Sequence, residues 1–211
     1  MFIGHFAVGF AAKKAAPQVS LGWLIAGAQL VDMVWPVLVL TGLERVRIDP
    51  GNTVFTPLNF VSYPITHSLV GGCLWAILFA GAYWLRSRDR SGAGILAGCV
   101  LSHWALDVVT HRADMPVLPS GPKIGLGLWN HFAATMIVEL CLFAAGLWLC
   151  VQVIHRRALW IFAAVLLAIY LASSFGEPPP SVAAIGWAGL GLWIFPVWAW
   201  WIDRPRPLNL H

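Results

Sequence analysis

Six runs of this chain, roughly residues 20–42, 64–86, 93–112, 132–154, 158–175 and 181–202, are long and apolar enough to cross a bilayer. Nothing else in the sequence constrains the fold as strongly. Inside hydrocarbon a backbone must satisfy its own N–H and C=O groups, and a run of this length does so as a helix. Only 10% of the residues are charged against 59% hydrophobic, where a soluble domain carries about 25% charged residues. The expected fold is all-α: a polytopic membrane helical bundle of about six transmembrane helices. Residues 2–12 add a shorter apolar helix, half-inserted or re-entrant because it is too short to span.

Turn chemistry separates the runs at Pro17, Asp49-Pro-Gly51, Ser91-Gly92, Pro119-Ser-Gly-Pro122 and Pro178-Pro-Pro180. No internal repeat or second domain is visible, so residues 1–211 read as a single integral membrane domain. The short N-terminal apolar run is followed, not preceded, by Lys13 and Lys14, unlike an ordinary signal peptide. Cys73, Cys99, Cys141 and Cys150 lie in apolar stretches without CxxC spacing, which argues for small buried apolar residues over disulfides or a thiolate zinc site.

The net charge of +4 points to topology, not to nucleic acid, because no basic run is interleaved with aromatics outside the spans. Lys13, Lys14, Arg86, Arg88, Arg90, Arg156, Arg157, Arg204 and Arg206 fall on one side of the expected topology. Arg45, Arg47, Arg112 and Lys123 fall on the other. The positive-inside rule then makes both termini cytoplasmic in a multi-pass inner membrane protein. Trp198, Trp200 and Trp201 precede Asp203 and Arg204 as an interfacial aromatic belt.

Against this background, ionisable residues within the apolar runs stand out. Five of the seven histidines and three of the nine acidic residues lie inside or at the edge of them. Each is costly in hydrocarbon unless it pairs, lines a wet cavity or binds a metal. Leu101-Ser-His-Trp-Ala-Leu-Asp-Val-Val-Thr-His111 places His103, Asp107 and His111 on one helix face, and i, i+4 His/Asp spacing suits a metal. At about 1.5 Å per residue, Asp32, His103, Asp107 and Glu139 lie about 15–22 Å from the basic side. His67 and His111 lie about 27–28 Å from it, with His131 higher still. Four spans thus converge on one polar layer in the outer half of the bilayer. His5 joins if the N-terminal helix tucks into the bundle, about 12 Å of helix from Lys13.

Simpler roles compete. Asp32, ahead of Trp35-Pro36, could satisfy backbone groups freed by the proline, and a lone His131 could bond a neighbouring helix. His155 and His211 read as solvated. Taken together, the Asp and His donors suit a divalent transition metal, zinc foremost with manganese or iron as options. Such an ion makes hydroxide available near neutral pH, with Glu139 as general base or further ligand.

Four stretches resemble the YdjM-like family of bacterial inner-membrane proteins, described as metal-dependent hydrolases. Gly4-His5 resembles the family's N-terminal Gly-His, and Leu30-Val-Asp-Met-Val-Trp-Pro36 its Leu-Pro-Asp-x-Asp-His-Pro motif. Tyr63-Pro-Ile-Thr-His-Ser68 is similar to His-Arg-Gly-x-Thr-His-Ser, and residues 101–110 match Ser-His-x-x-x-Asp-x-x-Thr throughout. The resemblance implies His5, Asp32, His67, His103 and Asp107 as metal ligands, with Glu139 matching a later family glutamate. Val34 and Trp35 replace the family's second Asp and its His, and Ser62, Tyr63 and Pro64 replace His-Arg-Gly. These losses favour one metal over two, with His111 or His131 as substitute ligands, and leave room for a non-catalytic member.

The leading expectation is a metal-dependent intramembrane hydrolase acting on a lipid or amphiphile from the outer leaflet. Asp107, His111 and Glu139 would serve catalysis, and residues 112–130 would form a lid. Arg112, Lys123 and His131 would meet an anionic headgroup such as a phosphate unless the two cations only snorkel. The alternatives are a transporter or ion conductor, a histidine-box iron oxidase, a ceramidase-like zinc amidase and a protein with a vestigial site. Oligomeric state is not legible.

Overall fold

The computed structural model describes residues 1–204, so Arg206 and His211 lie outside the described residues. The chain is mostly helical. Helix α1 is Ile3–Ala15, and α2 is Leu21–Leu40, capped by Ser20, whose hydroxyl accepts from the Trp23 N–H. A hairpin of β1 (Arg45–Ile48) and β2 (Leu58–Ser62) follows, then one turn of helix α3 (Pro64–His67), α4 (Leu69–Ser87) and α5 (Arg90–Thr110). The two-residue strands β3 (Met115–Pro116) and β4 (Lys123–Ile124) pair before α6 (Phe132–Val151) and α7 (Arg157–Phe175). Helices α8 (Val182–Leu190) and α9 (Ile194–Asp203) are joined by a 3-10 turn into one membrane-length rod.

Six helical segments are long and apolar enough to cross a membrane, within a few residues of the expected spans. The second span departs most. Its first turn breaks away as α3, because Ser68 is extended and caps α4, its hydroxyl accepting from Gly71 N–H while donating to the Pro64 carbonyl. Neither hairpin was expected. In β1 the buried Val46 alternates with exposed Arg45 and Arg47, which gives a half-buried strand its period of two. Asp49-Pro-Gly51 supplies the turn, with Gly51 at φ +89°.

The N-terminal helix is one continuous element without a re-entrant turn and sits inside the bundle against α2, α5 and α6. Its Phe6 and Phe10 are buried in the largest core cluster, edge-on to Phe162 and, respectively, Phe195 and Phe143. Glycines permit this seat: a Cβ at Gly146 of α6 would collide with the Ala7 backbone, and one at Gly9 with Ile25 of α2. At the far end of α1, the buried Lys13 ammonium donates to Asp203 Oδ2 at 2.7 Å and to the Pro17 and Val19 carbonyls. Asp203 also accepts from Leu21 N–H, so one carboxylate ties α1, α2 and α9 together.

The outward faces carry large apolar side chains, among them Leu74, Ile77, Ile137, Trp148, Trp160, Ile161, Trp187 and Ile194. A lipid-facing exterior accounts for that pattern. Of the expected aromatic belt, Trp200 and Trp201 are exposed and the Arg204 guanidinium lies over the Trp200 ring, whereas Trp198 packs inward on Phe162. The four cysteines are free thiols; Cys99 and Cys150 are buried, but Cys73 and Cys141 lie on the exterior.

Candidate metal centre

Helix α5 carries the heart of the site. His103 and Asp107, one turn apart, are both buried, with His103 Nε2 3.2 Å from Asp107 Oδ2. From α2, Asp32 brings Oδ1 to 3.5 Å of His103 Nε2. From α3, His67 Nε2 reaches 3.3 Å from Asp32 Oδ1 and 3.8 Å from Asp107 Oδ2. From α1, His5 Nε2 lies 3.1 Å from Asp107 Oδ1, and its ring stacks on His103 with centroids 3.6 Å apart. The Met1 amino nitrogen meets the same Asp107 oxygen at 2.6 Å. Five residues from four helices therefore share one small volume. Within it His5, His103 and Asp107 form one group, and Asp32, His67 and His103 another, whose ligand atoms lie within 4.8 Å of one another.

Hydrogen bonding fixes how these groups point. His103 Nδ1 is 2.9 Å from the Ala28 carbonyl oxygen of α2. A carbonyl only accepts, so Nδ1 carries the hydrogen and Nε2 of the neutral ring presents a lone pair. That Nε2 is buried and close to two carboxylates, yet makes a hydrogen bond to neither. With the ring neutral, that lone pair would face two carboxylate oxygens in a buried site, an arrangement that a cation bound among them would satisfy. The nitrogen and oxygen donors suit zinc, manganese or iron, and both groups share the single free nitrogen of His103, which favours one ion. Asp32 is the most open of the ligand groups, its side chain 26% exposed. The site therefore opens beside α2.

Other expected site residues lie elsewhere. Glu139 of α6 is fully buried, but its Oε2 accepts from the Phe2 and Gly4 N–H groups, capping the start of α1. Its Oε1 has no hydrogen-bond partner among the described residues. His111 leaves the helix face that its spacing suggested, because α5 ends at Thr110 and His111 is extended, at ψ 149°. It packs instead between Phe60 and Trp129, with Nδ1 3.0 Å from Asp114 Oδ1. Burial holds its imidazole below the ordinary value, outweighing the Asp114 hydrogen bond. For Asp114, burial is overcome by donors from His111, Arg112 and Tyr63, which hold the carboxyl low. Arg112 donates to Asp114 and Asn59, while Lys123 and His131 are exposed. None of these four cationic or imidazole side chains joins the ligand groups.

Sequence reasoning missed Glu44. Its buried carboxylate accepts from the Ile65 and Thr66 N–H groups at 2.7 and 2.9 Å and from the Thr66 hydroxyl at 2.6 Å. Thr66 Oγ1 is in turn 2.7 Å from His67 Nδ1. A single acid beyond the end of an apolar run carries no pattern, and the Thr-His pair was the only local hint.

A profile of the YdjM inner membrane protein family matches residues 1–178, which include α1 to α7 and every residue of the cluster. The chain belongs to that family and is a multi-pass inner membrane protein. No curated protein and no solved structure matches it.

Proposed function

We propose that this YdjM-family protein is a metal-dependent hydrolase working within the membrane on a lipid or similar amphiphile. One observation carries the reading: buried His5, His67, His103 and Asp107 converge with the partly exposed Asp32 around a His103 nitrogen that makes no hydrogen bond among the described residues. His5, Asp32, His67, His103 and Asp107 would hold the ion, zinc being the best fit to such donors. Bound there, it would supply a Lewis acid that lowers the pKa of water. Asp32, on the open side, would border the substrate. Glu139 would hold a proton at Oε1, the oxygen left free by the α1 amides.

The same reading puts the site toward the outer leaflet and the end of α9 at the cytoplasmic face, by the excess of Lys and Arg there; the expected cytoplasmic N-terminus does not fit it, because α1 runs from Lys13 at that face up to Met1 beside Asp107. Lys123, Arg45 and Arg47, all exposed beyond the site, would meet an anionic headgroup; Arg112 would hold the segment after α5 to β2 through Asp114 and Asn59. An ion conductor fits less well. Toward the basic end the interior is closed by Leu24, Ala28 and Leu96, and the buried lysine there is locked to Asp203.

The test is metal analysis of the purified protein beside His103→Ala and Asp107→Ala, followed by assays for phosphate or fatty acid released from defined lipids. Wild type is expected to carry about one transition-metal ion per chain and to release product, and both variants to lose the two properties while remaining folded. A folded wild type with no transition metal overturns the reading. Metal without release from any lipid leaves a binding protein and removes the hydrolase.

A further inference from the structure

Glu44 stands outside the ligand groups, yet its contacts decide which nitrogen of His67 is free. The one-turn helix α3 begins at Tyr63, whose side chain makes no cap hydrogen bond. The cap comes from a distance: Glu44 Oε1 takes the Ile65 and Thr66 N–H groups. Its Oε2 takes the Thr66 hydroxyl hydrogen at 2.6 Å. A carboxylate so occupied only accepts, so the Thr66 hydroxyl spends its one hydrogen on Glu44. Toward His67, 2.7 Å away, Thr66 has only a lone pair left. His67 Nδ1 must therefore carry a hydrogen and donate it, which frees Nε2 to face Asp32 and Asp107.

We infer that Glu44 and Thr66 are positioning residues that set the tautomer of His67 and, through it, the metal affinity of the centre. The inference rests on the metal reading above. The chain of donors has one direction, from His67 through Thr66 to Glu44, and the direction is imposed by the carboxylate. An amide at position 44 reverses it. In Glu44→Gln the amide oxygen takes over the two backbone N–H groups, and the amide nitrogen then faces Thr66 Oγ1 as a donor. The Thr66 hydroxyl now accepts there and turns its hydrogen onto His67 Nδ1. His67 must then hold its hydrogen on Nε2, where it points at Asp32 and excludes an ion. The variant keeps all three contacts of position 44, to the Ile65 and Thr66 N–H groups and the Thr66 hydroxyl, so α3 keeps its cap.

Two readouts test this. In metal-free protein with nitrogen-labelled histidine, His67 Nδ1 is expected to be protonated in wild type and Thr66→Ser and bare in Glu44→Gln. Zinc dissociation constants from chelator competition are expected to rise about 10–100-fold in Glu44→Gln and Thr66→Val, as for lost partners behind metal-binding histidines, and to stay near wild type in Thr66→Ser. A protonated Nδ1 in Glu44→Gln, or unchanged zinc affinity in both weakened variants, overturns the inference. If wild type binds no metal, the metal reading fails on its own, while the nitrogen measurement still decides the tautomer.

Discussion

Replacing Gly146 by alanine probes how tightly the metal centre depends on a contact far from it. A Cβ at Gly146 would stand 2.8 Å from Ala7 Cα and nearer still to the Ala7 carbonyl oxygen, whereas ordinary contact begins at 3.4 Å. Both obstacles are backbone, so α1 itself has to retreat from α6 by about 1 Å. Residues two apart on a helix lie roughly 200° around it, so this retreat drives His5 toward α5. There its ring already stacks on His103 at 3.6 Å and cannot approach further. Overpacking of this kind costs about 3 kcal/mol at its upper end; the better helix propensity of alanine returns about 1 kcal/mol. The net loss is about 2 kcal/mol, with zinc affinity lowered about 10–100-fold by the displaced histidine. Unfolding in mixed micelles and chelator competition measure the two. Gly81→Ala is the control, because nothing lies within 4 Å of its added methyl. If Gly146→Ala were as stable as Gly81→Ala and bound zinc like wild type, the seat of α1 would not be what positions His5.

Lys13→Met strips the partner from Asp203 in an ion pair whose side chains are only 5% and 13% exposed. Stability should fall by about 3–5 kcal/mol, and Asp203→Asn added to it should recover part of the loss; a change below about 0.5 kcal/mol in the single variant would show the pair to be idle. Acidification should weaken the packing of the segment that follows α5 in two stages. His111 is neutral in the fold because its imidazole is held below the ordinary 6.5, so the unfolded chain binds the extra proton and stability drops as pH falls below 6.5. Asp114, held below 3.8, adds a second drop only below that value. In His111→Gln the upper stage should shrink in pH-dependent unfolding curves; an unchanged upper stage would assign the loss to another group.

The spans were legible because each is long, apolar and bounded by turn residues. The His103 and Asp107 pairing was equally open to view, since i, i+4 spacing holds on any helix. Where the helix stops is another matter. His111 continues the same arithmetic, but Thr110 ends α5 and turns the imidazole into an aromatic pocket. Glu139 shows a different limit. Residue counting gives height along a helix and says nothing of which neighbour faces the side chain, and here the start of α1 claims one carboxylate oxygen. The two hairpins were hidden by their shortness, and with them the path by which Glu44 reaches α3. Burial of α1 was half visible: its length ruled out spanning, but the glycine that admits it lies on another helix, near residue 146.

The place of α1 also bears on how the protein is made. This helix is synthesised before α2 to α9 and, at thirteen residues, is about 20 Å long, too short to hold a transmembrane position unaided. Its seat is built from α2, α5 and α6, and the last of these is complete only at Val151. His5 and Asp107 are 102 residues apart in sequence. A helix synthesised before its neighbours is thus among the last to dock, and its arrival closes the centre. A chain stalled before α6 holds four of the five ligand residues in its spans and cap but has no wall to keep the fifth in place. Assembly of the bundle and completion of the site are one event.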